Sequence, residues 1–164
     1  MGVSRASQIV DANFKIKGLD ALNKELKKLP DDMRTKALNG ALLASTKILK
    51  DRAIAYVPVD TGNLRGAIKA GRAPKKQQVS KWNPKYKVSI KKKGKVTILS
   101  RGKKRRSNST FYARIVEEGS SKMQPRPFMR QAFISTRGQA VRVFAKILDK
   151  KIAFYNKKLQ RLRS

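Results

Sequence analysis

The stretch VPVDTGNLR, residues 57–65, marks where one long predicted helix must end and the chain must change direction. Pro58 lacks a backbone N–H and cannot continue a helix. Asp60 and Thr61 can cap the free N–H groups of Asn63 and the residue after it, and Gly62 permits a positive φ. The stretch therefore predicts a helix-to-loop turn that aims the following segment.

The chain before this turn is predicted to be mainly helical. Residues 12–17 alternate apolar and polar side chains, which is typical of a strand. Leucines recur at three- and four-residue spacing from Leu19 to Leu29, which predicts a short amphipathic helix. A second helix is predicted from about Asp32 to Tyr56, because apolar residues follow one stripe and acids stand at its start.

The chain after the turn mixes β-like and helical patterns. Residues 71–84 and 100–109 are predicted to be flexible basic loops, and Lys85–Leu99 a β-hairpin that turns at Lys93-Gly94. Pro127 is expected to open the last helical element. A break at residues 135–138 would leave a C-terminal helix over 139–164. The prediction is a single α+β domain over residues 1–164, in which a small antiparallel sheet packs against two long helices.

Two further motifs stand in the second half of the chain: YARIVEEGS at residues 112–120 and PRPFMRQA at residues 125–132. With VPVDTGNLR they resemble the signatures of the tail-completion, or head–tail joining, proteins of long-tailed phages, the family related to lambda minor tail protein Z. The family often has an aromatic residue where this chain has Glu118. The matching positions of the three motifs are Pro58, Asp60, Thr61, Gly62, Leu64, Arg65, Tyr112, Glu117, Gly119, Pro127, Phe128, Arg130 and Ala132.

This resemblance implies a structural protein of the virion neck that completes the tail and joins it to the head. It implies a ring of subunits, sixfold like the tail. The implied partners are other copies of the chain, tail terminator or tail tube proteins, head connector proteins and genomic DNA in the channel. The expected location is the virion tail, after assembly in the host cytoplasm.

The residue inventory gives little support to catalysis. The chain has no His and no Cys, which excludes His bases, thiolate nucleophiles and the usual zinc ligands. Glu117 and Glu118 are neighbours and would point apart on a strand or a helix, so they would not converge on one substrate. Because Lys and Arg are in excess around them, both are expected to be salt-bridged. Neither a cofactor nor a metal is expected, and no membrane span or signal peptide is predicted.

Charge is the outlying property of the composition. The chain has 41 Lys and Arg against 10 Asp and Glu, a formal net charge of +31. No acid occurs from Thr61 to Val116, so this stretch is either solvated or faces a polyanion or an acidic protein. The candidate contact residues are Lys91, Lys92, Lys93, Lys95, Arg101, Lys103, Lys104, Arg105 and Arg106.

The alternative function is that of a general nucleic-acid-binding protein. Such a protein would use the basic tracts for phosphate contacts, which position a protein without reading sequence. No base-reading module is recognisable in the sequence.

Overall fold

The computed structural model describes residues 19–58, 63–78, 84–91, 95–100 and 103–162. In chain order the elements are α1 (Leu19–Lys28), α2 (Asp31–Tyr56), α3 (Asn63–Ala67), β1 (Ile68–Arg72), a 3₁₀ turn (Lys75–Gln77), β2 (Tyr86–Ile90), β3 (Lys95–Ser100), β4 (Lys103–Asn108), α4 (Ser109–Glu118) and α5 (Phe128–Arg161). The α+β class is confirmed, as are the first two helices. The strand predicted at residues 12–17 lies outside the described residues.

The two long helices α2 and α5 pack side by side and antiparallel. Ala53, near the end of α2, shares a buried cluster with Phe128 and Ala132, at the start of α5. Ala37, near the start of α2, shares a second cluster with Leu148, in the far half of α5. Small side chains at these contacts let the two helix backbones approach closely, since little volume separates them.

Helix α1 completes the second cluster. Leu26 and Leu29 are buried against the pair formed by the start of α2 and the end of α5. The three guanidinium hydrogen bonds of Arg34 tie α2 to the carbonyls that end α1, at 3.3 Å, 2.8 Å and 3.2 Å. These bonds satisfy C=O groups that the end of a helix leaves without partners.

The strands form two separate two-stranded sheets, so the predicted hairpin over Lys85–Leu99 is wrong. Strand β2 pairs antiparallel with β1, from Ile68 opposite Ile90 to Arg72 opposite Tyr86. Strand β3 pairs with β4 instead, across the two residues that separate them. The alternating pattern correctly predicted β2 and β3 as strands, but β2 pairs with β1, which has little strand signal of its own, and a two-residue connection favours pairing of β3 with β4.

Parts of both predicted loops are ordered elements. Gly71 and Arg72 belong to β1, and residues 75–77 form the 3₁₀ turn. The Gln78 side chain then bridges the two ends of this connection, donating to the carbonyls of Ala73 (2.6 Å) and Lys85 (3.2 Å) and accepting from the Lys85 N–H (2.9 Å). Residues 103–108 of the second loop form β4, because strand β3 supplies their ladder partners.

Helix α5 is continuous, so the predicted break at residues 135–138 is wrong, and the helix over 139–164 begins at Phe128 and ends at Arg161. Thr136 is fully buried, and its hydroxyl donates to the Ala132 carbonyl one turn earlier, at 2.6 Å. That bond satisfies the hydroxyl inside the helix. Packing along α2 outweighs the weak helix propensity of this segment.

Candidate assembly and polyanion-binding surfaces

The three sequence motifs meet in one place, the cluster between the end of α2 and the start of α5. The cluster contains residues from every motif together with Ala53 and Ile68. Its motif members are Val57 and Leu64, then Ala113 and Val116, then Phe128 and Ala132. Motifs that are far apart in sequence therefore build a single core, and Tyr112 packs against its edge.

The first motif contributes both ends of the turn. Pro58 is half-buried after α2, and Leu64, at 4% exposure, anchors α3 in the cluster. Asp60, Thr61 and Gly62 lie outside the described residues, so the caps predicted for Asp60 and Thr61 and the positive φ predicted for Gly62 stay predictions. Arg65 is half-buried, and its Nε is a buried nitrogen that has no hydrogen-bond partner among the described residues. The side chain of this arginine is therefore partly shielded from solvent.

The second motif ends α4 and turns the chain. Gly119 has a φ of +82°, and a Cβ there would lie 3.0 Å from the Met123 carbonyl oxygen and from two atoms of Pro125. The Gly119 N–H donates to the Ile115 carbonyl at 2.8 Å, closing the last turn of the helix. Glycine is needed here because both the left-handed backbone and the close approach exclude a side chain.

Glu117 caps α5 from a different helix. Its two carboxylate oxygens accept hydrogen bonds from the backbone N–H groups of Met129 (2.9 Å) and Arg130 (3.0 Å). Pro127, which precedes the helix, makes no side-chain cap of its own. A carboxylate suits this position because the first N–H groups of a helix lack partners and form the positive end of its dipole.

Among the described residues, an ion pair is found for Glu118 but not for Glu117, so the expectation that both glutamates are salt-bridged is met only for Glu118 there. Its carboxylate pairs with Arg114 at 2.8 Å on the exposed side of α4, and this hydrogen bond raises the pKa of the Arg114 guanidinium. Glu117 instead binds backbone N–H groups, since α4 ends beside the start of α5. The two carboxylates serve different partners and do not converge.

The third motif divides between core and surface. Phe128 and Ala132 are each 1% exposed and belong to the buried cluster. Arg130 stands one turn into α5 with an exposed side chain, while its backbone N–H binds Glu117. Met129, between Phe128 and Arg130, helps to line an apolar cleft of about 220 Å³ at the junction of α2, β2 and α5. The other residues that line this cleft are Thr46, Leu49, Ala53, Tyr86, Lys87, Val88, Ala132 and Phe133.

Of the predicted basic contact residues that the structure describes, one directly follows β2 and the others lie in β3 and β4. Lys91 is exposed, and its backbone N–H donates to the Ala67 carbonyl at 2.9 Å, which extends the β1–β2 ladder. Lys92, Lys93 and Arg101 lie outside the described residues. The others are strand residues rather than loop residues: Lys95 in β3, and Lys103, Lys104, Arg105 and Arg106 in β4.

A second basic feature lies on α5 and was missed from the sequence. Arg142, Lys146, Lys150 and Lys157 are exposed along one side of the helix, and we name them the α5 stripe. The signal was available in the four-residue spacing of the first three. Contiguous runs of lysine and arginine are conspicuous in a sequence whatever its conformation, whereas basic residues four positions apart form a stripe only once the segment is known to be a helix.

Metal or membrane sites find no support in the described part of the chain. It contains no group of three or more His, Cys, Asp or Glu side chains arranged to hold a metal ion. None of its helices is long and apolar enough to cross a membrane.

The motifs thus define a structural subunit, a small α+β protein whose distinctive residues are used for turns, caps and core. The model of the HK97-gp10-like family, bacteriophage HK97-gp10 tail component, matches residues 20–119, which is more than half of the chain. The chain belongs to this family and is a structural protein of a phage tail. Neither a curated protein nor a solved structure matches it.

Proposed function

We propose that this tail protein completes the tail and joins it to the head. It acts in the neck as a ring of subunits, sixfold like the tail, and without enzymatic turnover. It binds tail terminator or tail tube proteins on one side and head connector proteins on the other. Assembly takes place in the host cytoplasm, and the ring then remains in the virion.

The observation that carries this proposal is membership of the tail-component family over residues 20–119. The convergence of the three motifs supports it, because the residues that resemble head–tail joining proteins build the frame of the subunit. Glu117 fixes the angle between α4 and α5, and Gly119 fixes the turn between them. A subunit with a rigid frame suits a ring, in which each copy must present the same surfaces to its neighbours.

The test is electron microscopy of a lysate from phage that lack only this protein. The expected result is DNA-filled heads beside unattached tails, restored to joined virions when purified protein is added. As a control, added Phe128→Ala protein, which loses the largest fully buried side chain of the motif core, should not restore joining. Intact, infectious virions in the absence of the protein would refute the proposal.

The second candidate, a general nucleic-acid-binding protein, is favoured by charge. Ten acids can neutralise at most ten of the 41 positive charges, so most of the positive charge is not balanced within the chain. Charge reversal of Lys103, Lys104, Arg105 and Arg106 separates the two functions. If joining survives while affinity for DNA is lost, DNA binding by this tract is incidental to assembly. If the unmodified protein does not support joining and the charge-reversed variant loses DNA binding, the second candidate is favoured.

A further inference from the structure

We infer that the α5 stripe is the surface through which the subunit contacts the phosphates of duplex DNA. The inference rests on the proposed function in one respect, because it assigns to this surface the genomic DNA that passes through the neck. It departs from the sequence-based prediction, which placed the contact on residues 91–106.

The stripe lies on the side of α5 that faces away from α1 and α2. In this half of the helix Leu148 and Ile152 are buried against α2 and α1, and Leu159 packs beside them. Successive helical residues turn by about 100°, which puts the stripe on the opposite side from these three. All four stripe residues are exposed. The stripe is therefore held by a packed helix and is open to a partner.

The spacing of the stripe is unfavourable for an isolated helix. Arg142, Lys146 and Lys150 follow one another at four-residue intervals, which brings like charges together on one face. Such pairs destabilise a helix, whereas an acid at the same spacing would stabilise it. The single acid of α5, Asp149, is exposed, and no ion pair joins it to the stripe among the described residues. A polyanion would relieve the repulsion that the sequence leaves in place.

The dimensions fit duplex DNA. Fifteen residues separate Arg142 from Lys157, and at about 1.5 Å per residue the stripe extends over roughly 22 Å. This length covers about two thirds of a turn of duplex, which is roughly 34 Å. A straight row of cations on one rigid helix can therefore reach several phosphates at once.

The residue types favour DNA over an acidic protein. Three of the four stripe residues are lysines, and lysine is depleted in protein–protein interfaces. The ammonium group acts as a point charge and does not need the planar geometry that an arginine–carboxylate pair uses. Apart from the exposed Phe154 at its margin, the stripe lacks the aromatic and apolar centre that a protein partner would bury.

The test measures binding of a 30-base-pair duplex to the purified full chain by fluorescence anisotropy across a salt series. The stripe variant carries Lys146→Gln, Lys150→Gln and Lys157→Gln. The control variant carries Lys24→Gln, Lys36→Gln and Lys47→Gln, three exposed lysines of α1 and α2. Both variants lose the same net charge, so general attraction to DNA falls equally. Circular dichroism checks that each variant is folded.

The expected result is a smaller salt dependence for the stripe variant alone. Each lost phosphate contact lowers the slope of log K against log salt by about 0.9, so three contacts lower it by about 2.7. Between 50 and 200 mM salt the stripe variant should thus lose about 40-fold less affinity than the wild type. The control variant should keep the wild-type slope.

Three results would overturn the inference: no binding by the wild type, equal slopes for the two variants, or a stripe variant that binds DNA normally but fails to join heads to tails. The last would assign the stripe to an acidic protein. The measurement of DNA binding does not depend on whether the protein joins heads to tails. If phage without the protein still form joined virions, the proposed function fails whatever the stripe binds.

Discussion

Replacement of Glu117 by alanine tests the cap that links α4 to α5. The carboxylate accepts from two backbone N–H groups, at 2.9 Å and 3.0 Å, at the start of a helix of 34 residues. The Met129 N–H is partly buried, while that of Arg130 is exposed and can bind water in the variant. The loss is therefore dominated by one orphaned N–H and by the missing negative charge at the positive end of the helix dipole.

The magnitude follows from those two terms. Loss of a capping side chain costs about 1 kcal/mol, and a charge at a helix end contributes roughly 0.3–1 kcal/mol more. We expect Glu117→Ala to lower the free energy of unfolding by about 1–2 kcal/mol, measured by urea denaturation followed by circular dichroism. For a protein of this size, that corresponds to a fall in Tm of about 2–8 °C.

Glu118→Ala is the matched control, since it removes an adjacent glutamate from the same helix. Its ion pair with Arg114 is exposed and screened by solvent, so we expect a much smaller loss. Glu117→Gln keeps an acceptor oxygen without the charge and should fall between wild type and Glu117→Ala. Equal stability of the two alanine variants would show that Glu117 does not hold the start of α5, and would refute the reasoning.

Three further substitutions probe the turn, the loop and the core, each by urea denaturation. Gly119→Ala should lower the free energy of unfolding by about 1–3 kcal/mol, since the φ of Gly119 is +82°. The control is Gly66→Ala, where a Cβ meets nothing within 4 Å and stability should not change; equal effects of the two substitutions would contradict the prediction. Gln78→Ala removes three hydrogen bonds and should lower the free energy of unfolding by about 1–2 kcal/mol. Amide hydrogen exchange in β1 and β2 should become faster, and unchanged exchange would argue against the bridging role of Gln78. Phe128→Ala should lower the free energy of unfolding by about 3–5 kcal/mol. Phe154 is 63% exposed, so Phe154→Ala should change stability little; similar losses for the two variants would show that Phe128 does not lie in the main core.

Helical periodicity predicted α1 and α2 well, and it predicted where α5 starts. Helix α2 was found almost residue for residue, because Pro30, Asp31 and Pro58 delimit its apolar stripe. The start of α5 could be predicted from Pro127. In these segments local chemistry and tertiary packing favour the same structure, which is the condition under which sequence reasoning succeeds.

Strand pairing could not be predicted in the same way. Ile68–Arg72 contains glycine and two basic residues and gives a weak strand signal on its own. It becomes a strand because α2 and the motif core bury Ile68 and bring β2 alongside it. The error at residues 135–138 has a similar origin, since the buried hydroxyl of Thr136 is satisfied only within the continuous helix. Both outcomes depend on distant parts of the chain.

For the candidate surfaces, too, local sequence patterns could be predicted, but contacts between distant parts of the chain could not. Spacing and composition identified the basic tracts, but the roles of Glu117 and Gln78 depend on backbone groups that only the fold brings within reach. A glutamate beside many lysines favours an ion pair when sequence alone is considered. The structure shows that the helix end adjacent to Glu117 offers two N–H donors instead.

The matched family segment and the α5 stripe lie in different parts of the chain, and this separation has a physical meaning. Residues 20–119 include α2, both sheets and α4, so the match covers most of the frame. Helix α5 begins beyond it, yet its first turns are fixed by Glu117 and the motif core. Those contacts constrain one side of α5 only. The opposite side of its far half can change charge without disturbing a buried contact, so a surface for a polyanion can be placed there at little cost to the fold.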